Sequence, residues 1–161
     1  MMATQRHPTT AVRLRTGGSG DLDEVMRIMN AAFDPSFGEA WTRSQCAGIL
    51  PMHGVTLTIA ENGRVPVGFS LVRAVADEAE LLLLAVDPDE QRRGVGQALL
   101  DGFIAGGVAG GAHRLHLEVR DGNPAMELFR ASGFSAAGRR RNYYPGLGGD
   151  AHDAVTFLLT D

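Results

Sequence analysis

Gln91-Arg92-Arg93-Gly94-Val95-Gly96 sets two glycines and two arginines where a strand-like run, closed by Asp87-Pro88-Asp89, gives way to a helix pattern. A helix start presents unpaired amides and the positive end of a dipole. Glycines there let a phosphate reach the backbone without meeting a Cβ. The segment is predicted to bind a pyrophosphate; Arg92 and Arg93 add charge-assisted donors unless one pairs with an acidic neighbour. A glycine-rich helix entry that serves only tight packing is the competing interpretation. A second reactive type is Glu118. In Arg114 to Arg120 the apolar Leu115, Leu117 and Val119 take one face of a strand and leave His116, Glu118 and Arg120 on the other. From the strand alone, Glu118 is a solvated carboxylate paired with Arg120. His113 lies on the opposite face from His116, so the two make a poor metal site.

The elements that must carry these groups read as mixed α/β. After Val12 and Leu14, Asp21-Leu22-Asp23-Glu24 is an N-cap with an acid at N3, and Leu22, Val25, Met26 and Met29 form a helical stripe. Thr42-Arg43-Ser44-Gln45 has capping-box spacing ahead of Cys46, Ile49 and Leu50, and Cys46 reads as a small buried hydrophobe. Val55 to Ala60 and Val67 to Ala76, joined by the turn Glu61 to Arg64, predict antiparallel strands. Leu81-Leu82-Leu83-Leu84 does not alternate, so Ala79 to Val86 is predicted to be a central strand buried on both faces. Val95, Leu99 and Phe103 predict the next helix. Asn123-Pro124 predicts another, ended by Gly133. Phe134 to Tyr144 and Ala154 to Leu159 supply the last strands around a loop from Pro145 to Asp153. Tyr143 and Tyr144, adjacent on a strand, are expected on opposite faces, so that one of them only packs. The front half is antiparallel and the back half runs strand-helix-strand-helix-strand.

Composition narrows the chemistry. The 161 residues, 44% hydrophobic and 21% charged, fit one domain. Residues 1–10 are expected to be a flexible extension of it. All 15 basic residues are arginine, which removes lysine Schiff-base chemistry and the P-loop lysine. One cysteine makes no intrachain disulfide and argues against zinc or iron-sulfur sites, so no metal is expected and a reducing cytoplasm fits. A net charge of -4 gives no whole-molecule attraction to nucleic acid or membrane; Arg139-Arg140-Arg141 is the dense basic run and reads first as a solvated strand end. No apolar run is long enough for a membrane span or a signal-peptide core.

With the preceding strand ending in Val-Asp-Pro, the glycine segment resembles the acetyl-CoA motif (Q/R)xxGx(G/A) of the Gcn5-related N-acetyltransferase (GNAT) superfamily. Leu117-Glu118-Val119-Arg120, Asn123, Gly133-Phe134, Arg140 to Pro145 and Ala40-Trp41-Thr42 resemble its ribosomal-protein N-terminal alanine acetyltransferase (RimI-like) branch. The resemblance implies a single GNAT-like domain, with a mostly antiparallel central sheet splayed between its fourth and fifth strands and about four flanking helices. It implies acetyl-CoA as cosubstrate. Backbone groups of Leu84, Ala85 and Val86 would hold the acetyl and pantetheine parts, Arg92, Arg93, Gly94, Val95, Gly96 and Gln97 the pyrophosphate, with Asn123 a further cofactor contact that also suits an N-cap. Glu118 matches the branch's general base, and Trp41, Tyr143 and Tyr144 its acceptor side.

One position departs from the branch. Phe129 stands where a tyrosine serves as general acid, and Tyr143 or Tyr144 is the hydroxyl that could replace it. The expected acceptor is a protein N-terminal α-amine, with ribosomal proteins among the candidates. An α-amine, with an ordinary pKa of about 7.7 to 8.0 against about 10.4 for lysine, asks less of a single base. A small-amine acetyltransferase and a non-catalytic acyl-CoA-binding module stay open, as do monomer and homodimer.

Overall fold

The computed structural model describes residues 12–160; the expected extension at 1–10 lies outside the described residues. Seven strands form one sheet: β1 (Arg13–Thr16), β2 (Val55–Asn62), β3 (Val65–Val75), β4 (Glu78–Val86), β5 (Arg114–Arg120), β6 (Ser135–Pro145) and β7 (Ala151–Thr160), in the order β1-β2-β3-β4-β5-β7-β6. Every neighbouring pair is antiparallel except β4 and β5. Helices α1 (Leu22–Ala32) and α2 (Arg43–Ile49) cover one face, where Val25, Ile28 and Met29 pack on Leu57, Phe69 and Leu83. Helices α3 (Val95–Ala109) and α4 (Ala125–Ala131) cover the other, with Leu100, Phe103 and Phe129 against Leu81, Leu117 and Phe157. The result is a single mixed α/β domain of the class the sequence predicts.

Local rules explain most boundaries. The Thr42 hydroxyl accepts from the Gln45 amide at 3.1 Å and the Gln45 side chain accepts from the Thr42 amide at 2.8 Å, the expected reciprocal box, in a class of cap that contributes about 1 kcal/mol. Cys46 is buried as expected, and burial pushes its thiol pKa up. The start of α1 differs from prediction. Asp21 makes no side-chain cap for α1; its carboxylate accepts from Arg15 at 2.7 Å and from the Gly18 amide at 2.9 Å, closing the turn before the helix. A guanidinium within reach outcompetes a neutral amide for a carboxylate. On α1, Ile28 is fully buried and Met26 only partly, so the buried stripe lies slightly round the helix from the predicted one.

The run of four leucines has a cause other than two fully buried faces. In the β3–β4 register Leu71 faces Leu83 and Val72 faces Leu81, so Leu82 is an extra residue, a bulge. Before it, Ala79 and Leu81 point to α3; after it, Leu83 and Ala85 point to α1. Burial therefore alternates along the whole strand, while the sequence pattern is broken by the change of face. The last loop is also shorter than predicted, because β7 begins at Ala151 and pairs with Pro145.

Candidate active site

The parallel β4–β5 pairing covers only Glu78 to Leu81 against Arg114 to Leu117. Beyond it the strands part. Leu83 to Val86 stay paired with β3, and Glu118 to Arg120 stay paired with β7. Leu84, Ala85 and Val86 thus present a backbone edge without a strand neighbour on the β5 side. A cleft of about 120 Å³ opens there, lined by Leu82 to Leu84 and by Leu117 to Val119. One water needs about 10–15 Å³, so the splay is not filled by side chains.

Helix α3 starts at the mouth of this splay. Gly94 has φ +80°, a left-handed turn that a glycine adopts without strain, and a Cβ there would meet nothing within 4 Å. A Cβ on Gly96 would lie 3.4 Å from Leu128 and 3.7 Å from Val86, which sets the helix start between α4 and the end of β4. The approach is braced. Asp87 accepts from the Asp89 amide at 3.1 Å and from Arg27 of α1 at 3.0 Å, while Arg27 also donates to the Pro66 carbonyl at 2.9 Å. The Asp89 amide first, and Arg27 second, hold the Asp87 carboxyl below its ordinary pKa. Arg93 pairs with Glu90 at 3.2 Å, and the Gln97 amide donates to Asp101 at 2.7 Å and Ser132 at 3.2 Å. Arg92 holds a positive φ of 67°. Backbone amides, more than these side chains, are what this corner offers an anion.

Glu118 lies on the cleft, with its side chain 11% exposed. It does not pair with Arg120. Its Oε2 accepts from the Thr156 hydroxyl at 2.7 Å, and its Oε1 lies 3.3 Å from Arg140 Nε. Thr156 stands directly opposite Glu118 in the β5–β7 register, so this hydroxyl is fixed by the sheet. Arg120 instead donates to Glu39 at 2.9 Å and to the Asp121 carbonyl, with its guanidinium carbon 3.7 Å from the centre of the Phe37 ring. The second Glu39 oxygen accepts from Asn123 at 2.8 Å, and the Asn123 carbonyl oxygen accepts from the Ala125 amide at 2.9 Å. Asn123 thus ties down the start of α4, whose cap position is Pro124, one residue after the predicted one, and its side chain also lines the cleft.

Glu39 is the residue that sequence reasoning missed. It sits between α1 and α2 with no periodic signal, 81 residues from Arg120 and 84 from Asn123. Its segment is locked to the β6–β7 turn: at Gly38, φ +68°, a Cβ would run into the Pro145 carbonyl, so glycine is required there. Trp41 and Phe33 follow on the same wall of the cleft.

Both tyrosines line this same cleft, which corrects the opposite-face expectation. Asn142 has φ +54°, and the β6–β7 register jumps from Arg140–Ala154 to Tyr144–His152. This irregularity breaks strand alternation and brings both rings to the cleft, edge to face with centroids 4.9 Å apart. Tyr144 donates to the Glu118 carbonyl at 3.2 Å; burial first, then the Glu39 charge, pushes its hydroxyl pKa well above the ordinary value, so it stays protonated. Phe129 is buried beside them against Phe134 and Phe157 and offers no proton. Arg139 is exposed at this strand end, as the sequence predicts, and there donates to Asp121 at 2.7 Å and Asp153 at 3.0 Å. Among the described residues no group of three or more His, Cys, Asp or Glu is placed to hold a metal ion, and no helix is long and apolar enough to cross a membrane.

Residues 22–134, which contain the splayed parallel pair and the glycine-started helix, match the model of the Acetyltransferase (GNAT) family. The chain belongs to that family and is an N-acetyltransferase. It is 38% identical over 120 residues to the ribosomal protein bS18-alanine N-acetyltransferase of Escherichia coli (strain K12), an alignment that spans 74% of this chain and 80% of that protein. It is 39% identical over 101 residues to the N-alpha-acetyltransferase RimI of Mycobacterium tuberculosis, spanning 58% and 60%. The crystal structure of the ribosomal-protein-S18-alanine N-acetyltransferase from Escherichia coli superposes with a TM-score of 0.83 at 32% identity, over 93% of this chain and 94% of that one.

Proposed function

We propose that the protein acetylates the α-amino group of a protein N-terminus, with an alanine-starting ribosomal protein as the acceptor class, and that Glu118 is the general base. The observation that carries this is the single cleft in which the exposed β4 edge and Glu118 face each other across the splay. The cosubstrate, acetyl-CoA, supplies an activated acetyl carbonyl. The fit rests on the chain itself: an unpaired strand edge at Leu84, Ala85 and Val86, and an amide-rich helix start from Arg92 to Gln97 with open space at Gly94. Asn123 is proposed to complete that side through the part of its amide that Glu39 leaves available.

Glu118 takes the proton that an incoming ammonium must lose before its nitrogen can attack. Thr156 fixes one oxygen of the carboxylate and so aims the other toward the acceptor. Trp41 and Tyr143 flank the acceptor's entry, and Tyr143, 45% exposed, is free to turn toward an acceptor backbone. Tyr144, whose protonated hydroxyl lines the cleft and donates to the Glu118 backbone carbonyl, is proposed for the acid's place that Phe129 leaves empty. An α-amine with an ordinary pKa of about 7.7 to 8.0 is already about a tenth neutral near pH 7, which suits a base whose oxygens both carry donors. One domain, residues 1–161, is proposed to contain the whole activity.

Mass spectrometry of acetyl transfer to peptides starting Ala, Ser, Met or Gly, beside lysine peptides with blocked N-termini, tests the proposal. Transfer to free N-termini, with alanine first, is the expected result. Transfer only to lysine, or to none of the peptides with cofactor still bound, overturns it.

A further inference from the structure

Both oxygens of Glu118 have a partner, a hydroxyl bond on one and an ion pair on the other. Thr156 is part of the sheet, in register with Glu118. Arg140 reaches over from β6, the strand at the sheet's edge, and its side chain is 63% exposed against 11% for the carboxylate it caps. Its guanidinium carbon lies 5.6 Å from the centre of the Tyr143 ring, so the head group lies between the cleft wall and Oε1. A side chain of this length, mostly in water and holding one contact at 3.3 Å, can withdraw without unfolding anything.

An acceptor ammonium that passes a proton to Glu118 needs an oxygen of that carboxylate. Thr156 holds Oε2, and Oε1 is where Arg140 sits. A guanidinium does not give up a proton at any ordinary pH, so Arg140 stabilises the carboxylate's charge without substituting for the acceptor.

We infer that Arg140 is a placeholder for the acceptor's ammonium: it occupies Oε1 of Glu118 in the free enzyme and yields that oxygen when the acceptor's α-ammonium arrives. Acceptor binding is then an exchange of cations. The carboxylate, little exposed, is never left unpaired, and Arg140 moves its charge into water. Once exchanged, one N–H proton of the ammonium passes to Oε1 and the nitrogen keeps the electron pair with which it attacks. Arg140 is in this sense a positioning residue for the acceptor, and the inference rests on Glu118 as the base.

Arg140→Met, Arg140→Lys and Glu118→Gln, alone and combined, test it in the full-length enzyme with an alanine-starting peptide. Arg140→Met is expected to lower the acceptor KM about twofold to fivefold, the size of one exposed ion pair, with Arg140→Lys close to wild type. The other titratable groups lining the cleft with Glu118 are unchanged by the substitution: Tyr143 and Tyr144 of β6, Glu80 of β4 and Glu39. In the Glu118→Gln background Arg140→Met should leave the KM unmoved. The nitrogen-15 signal of Arg140 Nε should shift when the free-amine peptide binds, and not with the same peptide acetylated at its N-terminus.

An unmoved or raised KM in Arg140→Met, or an Arg140 signal indifferent to the free amine, overturns the placeholder role while a slow Glu118→Gln enzyme still supports the base. Full turnover by Glu118→Gln overturns the base and the inference together.

Discussion

Glu39→Ala removes the carboxylate that joins three segments, and its cost can be worked from the contacts. The Glu39 side chain is 9% exposed and that of Arg120 11%, with 2.9 Å between them, and a further 2.8 Å bond goes to Asn123. Removing one partner of a buried pair leaves an uncompensated charge and typically costs about 3–5 kcal/mol. Arg120 keeps the Asp121 carbonyl and the Phe37 face, so the lower end, about 3 kcal/mol, is expected. For a chain of this size that is a fall in Tm of roughly 6–12 °C. Glu39→Ala combined with Arg120→Met should recover most of the loss, because removing both charges also removes both desolvation costs. Urea unfolding followed by tryptophan fluorescence reads the effect directly, since Trp41 lies on the same wall of the cleft. A loss below about 1 kcal/mol for Glu39→Ala would refute the reasoning: Arg120 would then be rehydrated in place and the ion pair would not hold the wall.

Further outcomes follow from the same contacts. Glu118→Gln should reduce kcat/KM about 10²–10⁴-fold at pH 7 while cofactor affinity stays within twofold, read by coupled thiol release and calorimetry; near-normal turnover would remove Glu118 as base. Its deficit should narrow toward pH 9, where α-amines arrive already neutral. Gly96→Ala makes only ordinary contacts with Leu128 and Val86 and should fold normally, whereas Gly96→Val should weaken acetyl-CoA binding at least tenfold; equal affinity would refute the pyrophosphate site. Arg15 first, and the Gly18 amide second, hold the Asp21 carboxyl below its ordinary pKa. A group lowered on folding adds stability above its unfolded pKa, about 3.9 for Asp, and loses it as pH falls through the folded value. The stability gap between wild type and Asp21→Asn should thus be constant from pH 7 to 5 and close below about pH 4; a gap that persists at pH 2 by urea unfolding would refute the assignment.

What could be read from sequence is what depends on near neighbours along the chain. The Thr42 box, the Asn123 bond at the start of α4, the glycine-started α3 and the alternation that puts Glu118 off the apolar face of β5 are all set within about four residues. The family resemblance supplied the splay and the place of Glu118 in it. Tertiary structure decided which groups meet. Glu39 reaches Arg120 across 81 residues because the Gly38 turn packs on Pro145, a contact with no local pattern to announce it. The bulge at Leu82 is invisible in a run of four leucines, since only the partner strand defines a register. Tyr143 and Tyr144 share one wall because Asn142 leaves the extended region, and Glu118 faces Thr156 and Arg140 rather than Arg120 because β7 and β6 lie beside it in space. Sequence fixes conformation through bonds a few atoms away; the partners of a charge are chosen by strands that meet only after the chain has folded.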